Sequence, residues 1–351
     1  MSACGRCDER IPESRSSRER GWGPASPKLM TRIALLDDYH GLASSLPCWK
    51  GLEGRADLHA FRDTPATEDA LVDRLRGFPI VVAIRERTQF PGSVLKRLSE
   101  LRLLALTGKN SGHVDLSAAT SCGILVAETE GSGASAFELT VGLLLAAARQ
   151  IPREDRAMRA GGWQTSIGVE LSGKTLGILG LGRIGARVAA AGRLFNMRVL
   201  ASGLTLTDER AAAAGAARAT IDELFRESDF LSLHLRLSER SRGIVTARHL
   251  AQMKPTAYLI NTARGPLVDE PALVAALRER RIAGAALDVY DVEPLPVDHP
   301  LRSLDNVVLL PHIGYVTAEA YEQFFTQAVD NVERYLDGKL PLRTLNPEVM
   351  T

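Results

Sequence analysis

The chain has 351 residues, 45% of them hydrophobic and 24% charged, with 43 Lys and Arg against 42 Asp and Glu. At ~100–200 residues per domain, that length predicts about two domains, and the even charge balance leaves no global field to draw nucleic acid or an anionic membrane. No apolar run approaches the ~20 residues of a membrane span, so neither nucleic acid nor membrane is expected as a partner.

The first 29 residues mix Arg, Ser, Gly, Pro and Glu with almost no aliphatic side chains. Such a segment cannot offset its own ordering entropy, which predicts a disordered tail. It lacks the apolar h-region of a secretory signal. Cys4-x-x-Cys7 is half of a zinc pattern with no second pair after it, so no metal is expected. With Cys48 and Cys122, the four cysteines are too few and too scattered for a disulfide framework, and a cytoplasmic chain is expected.

From Thr31 the pattern alternates between strand and helix. Residues 32–37, 79–84, 102–107 and 123–128 are short aliphatic runs, and 67–77 reads as a helix capped by Thr67 and stopped by Gly77. Alternation of this kind predicts parallel strands covered by helices on both faces. Residues 135–150 form a long apolar helix pattern that Ile151-Pro152 should end, with a polar stretch beyond it. A second series of runs follows at 175–180, 198–202, 229–235, 257–261, 284–289 and 307–311, and an amphipathic helix from Thr317 closes the chain. The expected architecture is α/β: two Rossmann-like doubly wound parallel sheets, with a cofactor domain (135–314) inserted into a flavodoxin-like substrate domain (30–134, completed by 315–345).

Gly180-x-Gly182-x-x-Gly185 follows an aliphatic strand and opens an Ala-rich helix. In that context the first glycine makes a tight turn, the second admits a pyrophosphate to the backbone, and the third lets helix pack on strand. The helix start adds unpaired N–H groups facing the anion. Gly131-x-Gly133-x-x-Ala136 fits a looser form of the pattern, but no strand follows promptly, so it reads as a hinge. The cofactor is NAD or NADP. An acid is expected ~20 residues beyond the loop to bind the ribose of NAD. Gly203 stands there instead, and the first acid is Asp208. Discrimination between the two cofactors should therefore be weak.

Three strand ends carry the groups that hydride chemistry on a 2-oxo acid needs: Arg264, Glu293 and His312. A guanidinium can fork onto a carboxylate, and a His–Glu pair orients an imidazole for proton transfer. The motifs GKTLGILGLGRIG, LINTARGPLVDEPAL, GAALDVYDVEPLP and LLPHIGYVT occur in that order. Through them, from Thr31 to about Glu348, the chain resembles the D-2-hydroxyacid dehydrogenase family.

The resemblance implies that Arg264 binds the substrate carboxylate, that His312 is the acid/base, and that Glu293 supports it. It implies that Asp288 holds the nicotinamide carboxamide and that Arg183, Ile184 and Thr262 touch the cofactor. Gly203, with Leu235 and Arg236 in HLRLS where many members read HxPL, would lie on its adenosine side. Backbone groups of Gly108, Lys109 and Asn110 would face a small 2-oxo or 2-hydroxy acid. Family dimers pack around a helix like 135–150, so a homodimer is expected. A non-catalytic nucleotide-sensing protein of the same fold is the alternative. Phosphoglycerate dehydrogenase remains open, whereas formate dehydrogenase is disfavoured because no Gln immediately precedes His312.

Overall fold

Short aliphatic runs become strands of a parallel sheet because such strands are covered on both faces. The computed structural model describes residues 30–109 and 112–350, so the tail expected at 1–29 lies outside the described residues. Five runs form one parallel sheet: β1 (Thr31–Leu35), β2 (Ala56–Ala60), β3 (Ile80–Ile84), β4 (Leu103–Thr107) and β5 (Leu125–Ala127), in the order β2-β1-β3-β4-β5. That is the flavodoxin-like order. The second parallel sheet holds β6 (Thr175–Leu179), β7 (Arg198–Ser202), β8 (Ala217–Arg218), β9 (Phe230–Leu233), β10 (Tyr258–Asn261), β11 (Gly284–Leu287) and β12 (Val307–Leu309). Its order, β12-β11-β10-β9-β6-β7-β8, is the dinucleotide-binding order with one strand added. The two doubly wound sheets expected from the sequence are both present.

Two strands left no apolar run to read. Edge strand β2 carries Ala-Asp-Leu-His-Ala and has no fully buried residue, and both residues of β8 are exposed. The helix expected at 67–77 spans Glu68–Leu75, with the Thr67 hydroxyl accepting from the Ala70 N–H at 3.2 Å. The long apolar helix spans Ala134–Arg149 and stops at Gln150 in the left-handed region. A second helix, Ile151–Arg159, begins at once and lies bent by 64° from the first. No helix is expected here from the sequence: Pro152 sits in the first turn of the new helix, where its missing N–H costs nothing, and the polar stretch around Gly161, Gly162 and Trp163 follows it without regular structure. Among the described residues no single helix is long and apolar enough to cross a membrane.

The chain passes between the sheets twice. After β5, helix Ala134–Arg149 buries Leu143, Leu144, Ala147 and Ala148 with Ile178, Ile260 and Ala286 of the second sheet. After β12, helix Ala318–Leu336 returns Tyr321, Phe325, Val329 and Val332 to the first sheet, beside Ile33, Ile80 and Leu103. The carboxyl ends of β3 and β10, one from each sheet, meet where Arg264 donates to Glu86 at 2.6 Å.

Candidate active site

Gly180 follows β6 directly and donates its N–H to the Ser202 carbonyl at 2.8 Å. Its φ is +104°, and a Cβ there would lie 2.7 Å from the His234 carbonyl carbon. A Cβ on Gly185 would fall 2.3 Å from the Gly180 oxygen, while Gly182 borders open space. Helix Arg183–Leu194 starts at Gly182 with no side chain capping its first N–H groups. An open glycine, two crowded ones and free helix donors suit a pyrophosphate. The second glycine loop plays another part. Arg183 donates to the Gly131 carbonyl at 3.1 Å, and Gly133 sits at the N-terminus of helix Ala134–Arg149 with φ +72°.

Gly203, expected on the adenosine side, directly follows β7, and a Cβ there would make only ordinary contacts, 3.6 Å to Leu206 and 3.9 Å to Gly180. Arg210 donates to the Thr205 carbonyl at 3.0 Å. The Leu235 nitrogen lies against Gly180, and Arg236 is exposed. Ile184 lies beside Gly133, and the Thr262 hydroxyl bonds that of Thr140 at 2.7 Å.

Beneath the His312–Glu293 pair the backbone is tightly organised. His312 Nδ1 meets Glu293 Oε2 at 2.5 Å, and Glu293 Oε1 accepts the Tyr290 N–H at 2.9 Å. His312 has φ +53°, a strained value for a side-chain-bearing residue. Asp288 holds it there: its two fully buried carboxylate oxygens accept the N–H groups of Ile313 and Gly314, each at 2.8 Å. The carboxylate expected to meet a carboxamide thus also ties down the loop behind His312. Burial pushes the Asp288 pKa up, against those two bonds and the nearby imidazole. His234 bonds Ser232 at 2.8 Å and burial holds its pKa down at about 4, leaving it neutral and structural.

Arg264 caps a short turn after β10, pinned by Asn261, whose Nδ2 donates to the Arg264 carbonyl at 2.9 Å. A Cβ on Gly265 would lie 2.0 Å from the Tyr290 carbonyl carbon. Only glycine allows that approach, and the approach sets the Arg264 turn against the segment carrying Glu293. The guanidinium donates to Ala263 O and to Glu86 Oε1, both at 2.6 Å. Glu86 follows β3 in the other sheet and was not singled out in the sequence. Burial works against its charge, but Arg85, Arg264 and His113 outweigh it and hold the carboxyl at about 2. Arg85 packs over Tyr315 and Phe324 and against Gly108.

The expected substrate backbone fares differently. The Gly108 N–H is given to the buried Thr129 hydroxyl at 2.6 Å. Lys109 pairs with Glu130 at 2.6 Å, and Asn110 lies outside the described residues.

The family described as "D-isomer specific 2-hydroxyacid dehydrogenase, NAD binding domain" matches residues 141–314. A glyoxylate reductase of Aeropyrum pernix is 41% identical over 267 residues, 73% of this chain and 80% of that one. The chain belongs to the D-isomer specific 2-hydroxyacid dehydrogenase family. The likeness extends beyond the cofactor-binding sheet. The crystal structure of a phosphoglycerate oxidoreductase from Vibrio cholerae is 40% identical with a TM-score of 0.85, covering 88% of this chain and 99% of that one. A D-3-phosphoglycerate dehydrogenase of Methanocaldococcus jannaschii is 37% identical over 81% of this chain, which spans 54% of that relative. The relatives' names thus divide between a substrate with one carboxylate and one that also carries phosphate.

Proposed function

We propose that the chain is an NAD(P)-dependent oxidoreductase interconverting a 2-oxo acid and a D-2-hydroxy acid. Residues 135–314 form the cofactor domain, and 30–134 with 315–345 the substrate domain. The reading is carried by one juxtaposition: the turn of Arg264, set against the segment of Glu293 by the Gly265–Tyr290 contact, and the His312–Glu293 pair follow strands of the same parallel sheet whose β6 leads into a glycine loop suited to pyrophosphate. When bound, the nicotinamide supplies or accepts the hydride. Arg264 anchors the substrate carboxylate and polarises the adjacent carbonyl. His312 gives a proton to the carbonyl oxygen in reduction and takes it back in oxidation. Glu293 fixes the imidazole by its Nδ1, leaving Nε2 for the substrate. The assay is purified protein with glyoxylate, hydroxypyruvate, pyruvate and 2-oxoisocaproate, each with NADH and NADPH. Tight cofactor binding without turnover of any 2-oxo acid would favour the nucleotide-sensing alternative.

Cofactor preference should be relaxed. Gly203 neither accepts the ribose hydroxyls of NAD nor repels a 2′-phosphate. Arg210, tied to Thr205, and the hydroxyls of Ser202 and Thr207 supply donors nearby. NADPH should be accepted, and Gly203→Asp, for which the backbone leaves room, should swing kcat/KM toward NADH by about 1–3 kcal/mol. A wild-type protein already excluding NADPH by more than about a thousandfold, some 4 kcal/mol, would place the ribose reader elsewhere.

The chain is proposed to form a homodimer around helix Ala134–Arg149. Val141 and Leu145 are only half-buried there, and Ile151, Met158, Trp163 and Ile167 stand exposed on the segment that follows. Sedimentation at micromolar concentration should show a dimer; a monomer would refute it. Cys48 and Cys122, both free thiols, suit a reducing cytoplasmic compartment.

A further inference from the structure

Glu86 lies where neither carboxylate binding nor proton transfer calls for an anion. Its Oε1 accepts Arg264 Nη2 at 2.6 Å, so the guanidinium meant for a substrate carboxylate already faces a fixed negative charge. Its Oε2 lies 3.6 Å from Arg85 Nε, and both atoms are buried with no hydrogen-bond partner. The group therefore acts through its charge more than through a completed bonding network. The neighbouring cation, Arg87, is turned elsewhere: it donates to the Asp37 carbonyl at 2.6 Å, packs over Tyr39, and feels the Asp37 carboxylate. The Arg85–Glu86–Arg264 trio holds two guanidiniums and one carboxylate, a single surplus positive charge, to which the nearby His113 adds only when protonated.

One carboxylate on the substrate balances that surplus. A second anionic group would meet Glu86 with no free cation of the trio left to answer it. We propose that Glu86 is a specificity-determining residue, a charge filter that admits 2-oxo acids bearing one negative charge and disfavours phosphorylated or dicarboxylic ones. The inference rests on Arg264 as the carboxylate clamp, and it separates the two substrate types that the relatives' names leave open.

The test compares kcat/KM for glyoxylate and hydroxypyruvate with that for 3-phosphohydroxypyruvate and 2-oxoglutarate. Like charges set side by side are strongly penalised, so the wild type should favour the monoanions by about a hundredfold. Glu86→Gln keeps the shape and removes the charge, and should narrow the ratio by about tenfold or more. Glu86→Asp keeps the charge and should hold the ratio even where overall activity falls, which a merely structural role would not produce. The wild-type preference should also shrink as salt screens the repulsion. An equal effect of Glu86→Gln on both substrate types, equal narrowing by Glu86→Asp, or a wild type favouring the dianions would each overturn the filter. Calorimetric binding of the same acids to the cofactor-loaded protein reads the filter without turnover. Correct ranking in binding with no turnover would sink the reaction and leave the filter standing.

Discussion

His312→Ala is expected to abolish measurable turnover while leaving cofactor affinity unchanged. The imidazole is the group held at a strand end by two independent devices: Glu293 on its Nδ1, and Asp288 on the N–H groups of the two residues that follow it. A positioned acid/base contributes about 10²–10⁴-fold; among the other histidines, His113 lies close enough to act on the Glu86 charge, and retained activity would direct attention to it. His234 is buried and neutral beside Ser232, and His299 is occupied with Glu270 at 3.1 Å. The phosphate loop makes none of these contacts, so fluorescence titration with NADH should give a wild-type dissociation constant. Glu293→Gln should lower kcat with little change in KM, because the carboxylate meets the imidazole at Nδ1 and so sets its orientation. Retained activity in His312→Ala would remove the imidazole from the reaction.

The sequence exposed these residues unevenly, for physical reasons. Strands buried on both faces, such as β3, β4 and β6, are continuous aliphatic runs and stand out. Edge strands β2 and β8 bury little and do not. Pro152 was read as a stop because it ends one helix, yet the same residue suits the first turn of the next. Glycine spacing was informative where a helix and a strand followed, since only then does the backbone need each glycine. Arg264, Glu293 and His312 were legible because each sits just past a strand. Glu86 was not, because its significance comes from a partner 178 residues away on another sheet. Nor could spacing alone show that Asp288 serves the His312 loop, since that requires knowing that β11 and β12 end side by side.

Arg264→Ala should cost activity and stability together, and the two losses can be separated. With Arg264 as the proposed clamp, the substrate carboxylate would lose its fork and the carbonyl its polarising charge; kcat/KM should drop by roughly a hundredfold or more, about 3 kcal/mol. Arg264→Lys should restore only part of this, since an ammonium lacks the planar fork. Stability falls because Glu86, whose side chain is only 16% exposed, keeps its charge and loses its closest partner. The Glu86 carboxyl stands at about 2 in the fold, against about 4.3 in an unfolded chain. A lowered value of this kind stabilises the fold above the unfolded pKa and loses that contribution as pH falls through the folded one, an effect of about 3 kcal/mol. Arg264→Ala should therefore be less stable at pH 7 by a sizeable part of that amount, and the gap should close as pH falls from about 4 toward 2. Adding Glu86→Gln removes the stranded charge, so the double variant should recover stability at pH 7 without recovering turnover. Denaturant unfolding at both pH values and steady-state kinetics on the three proteins check this. A double variant no more stable than Arg264→Ala would mean that the stranded Glu86 charge is not what destabilises the single variant.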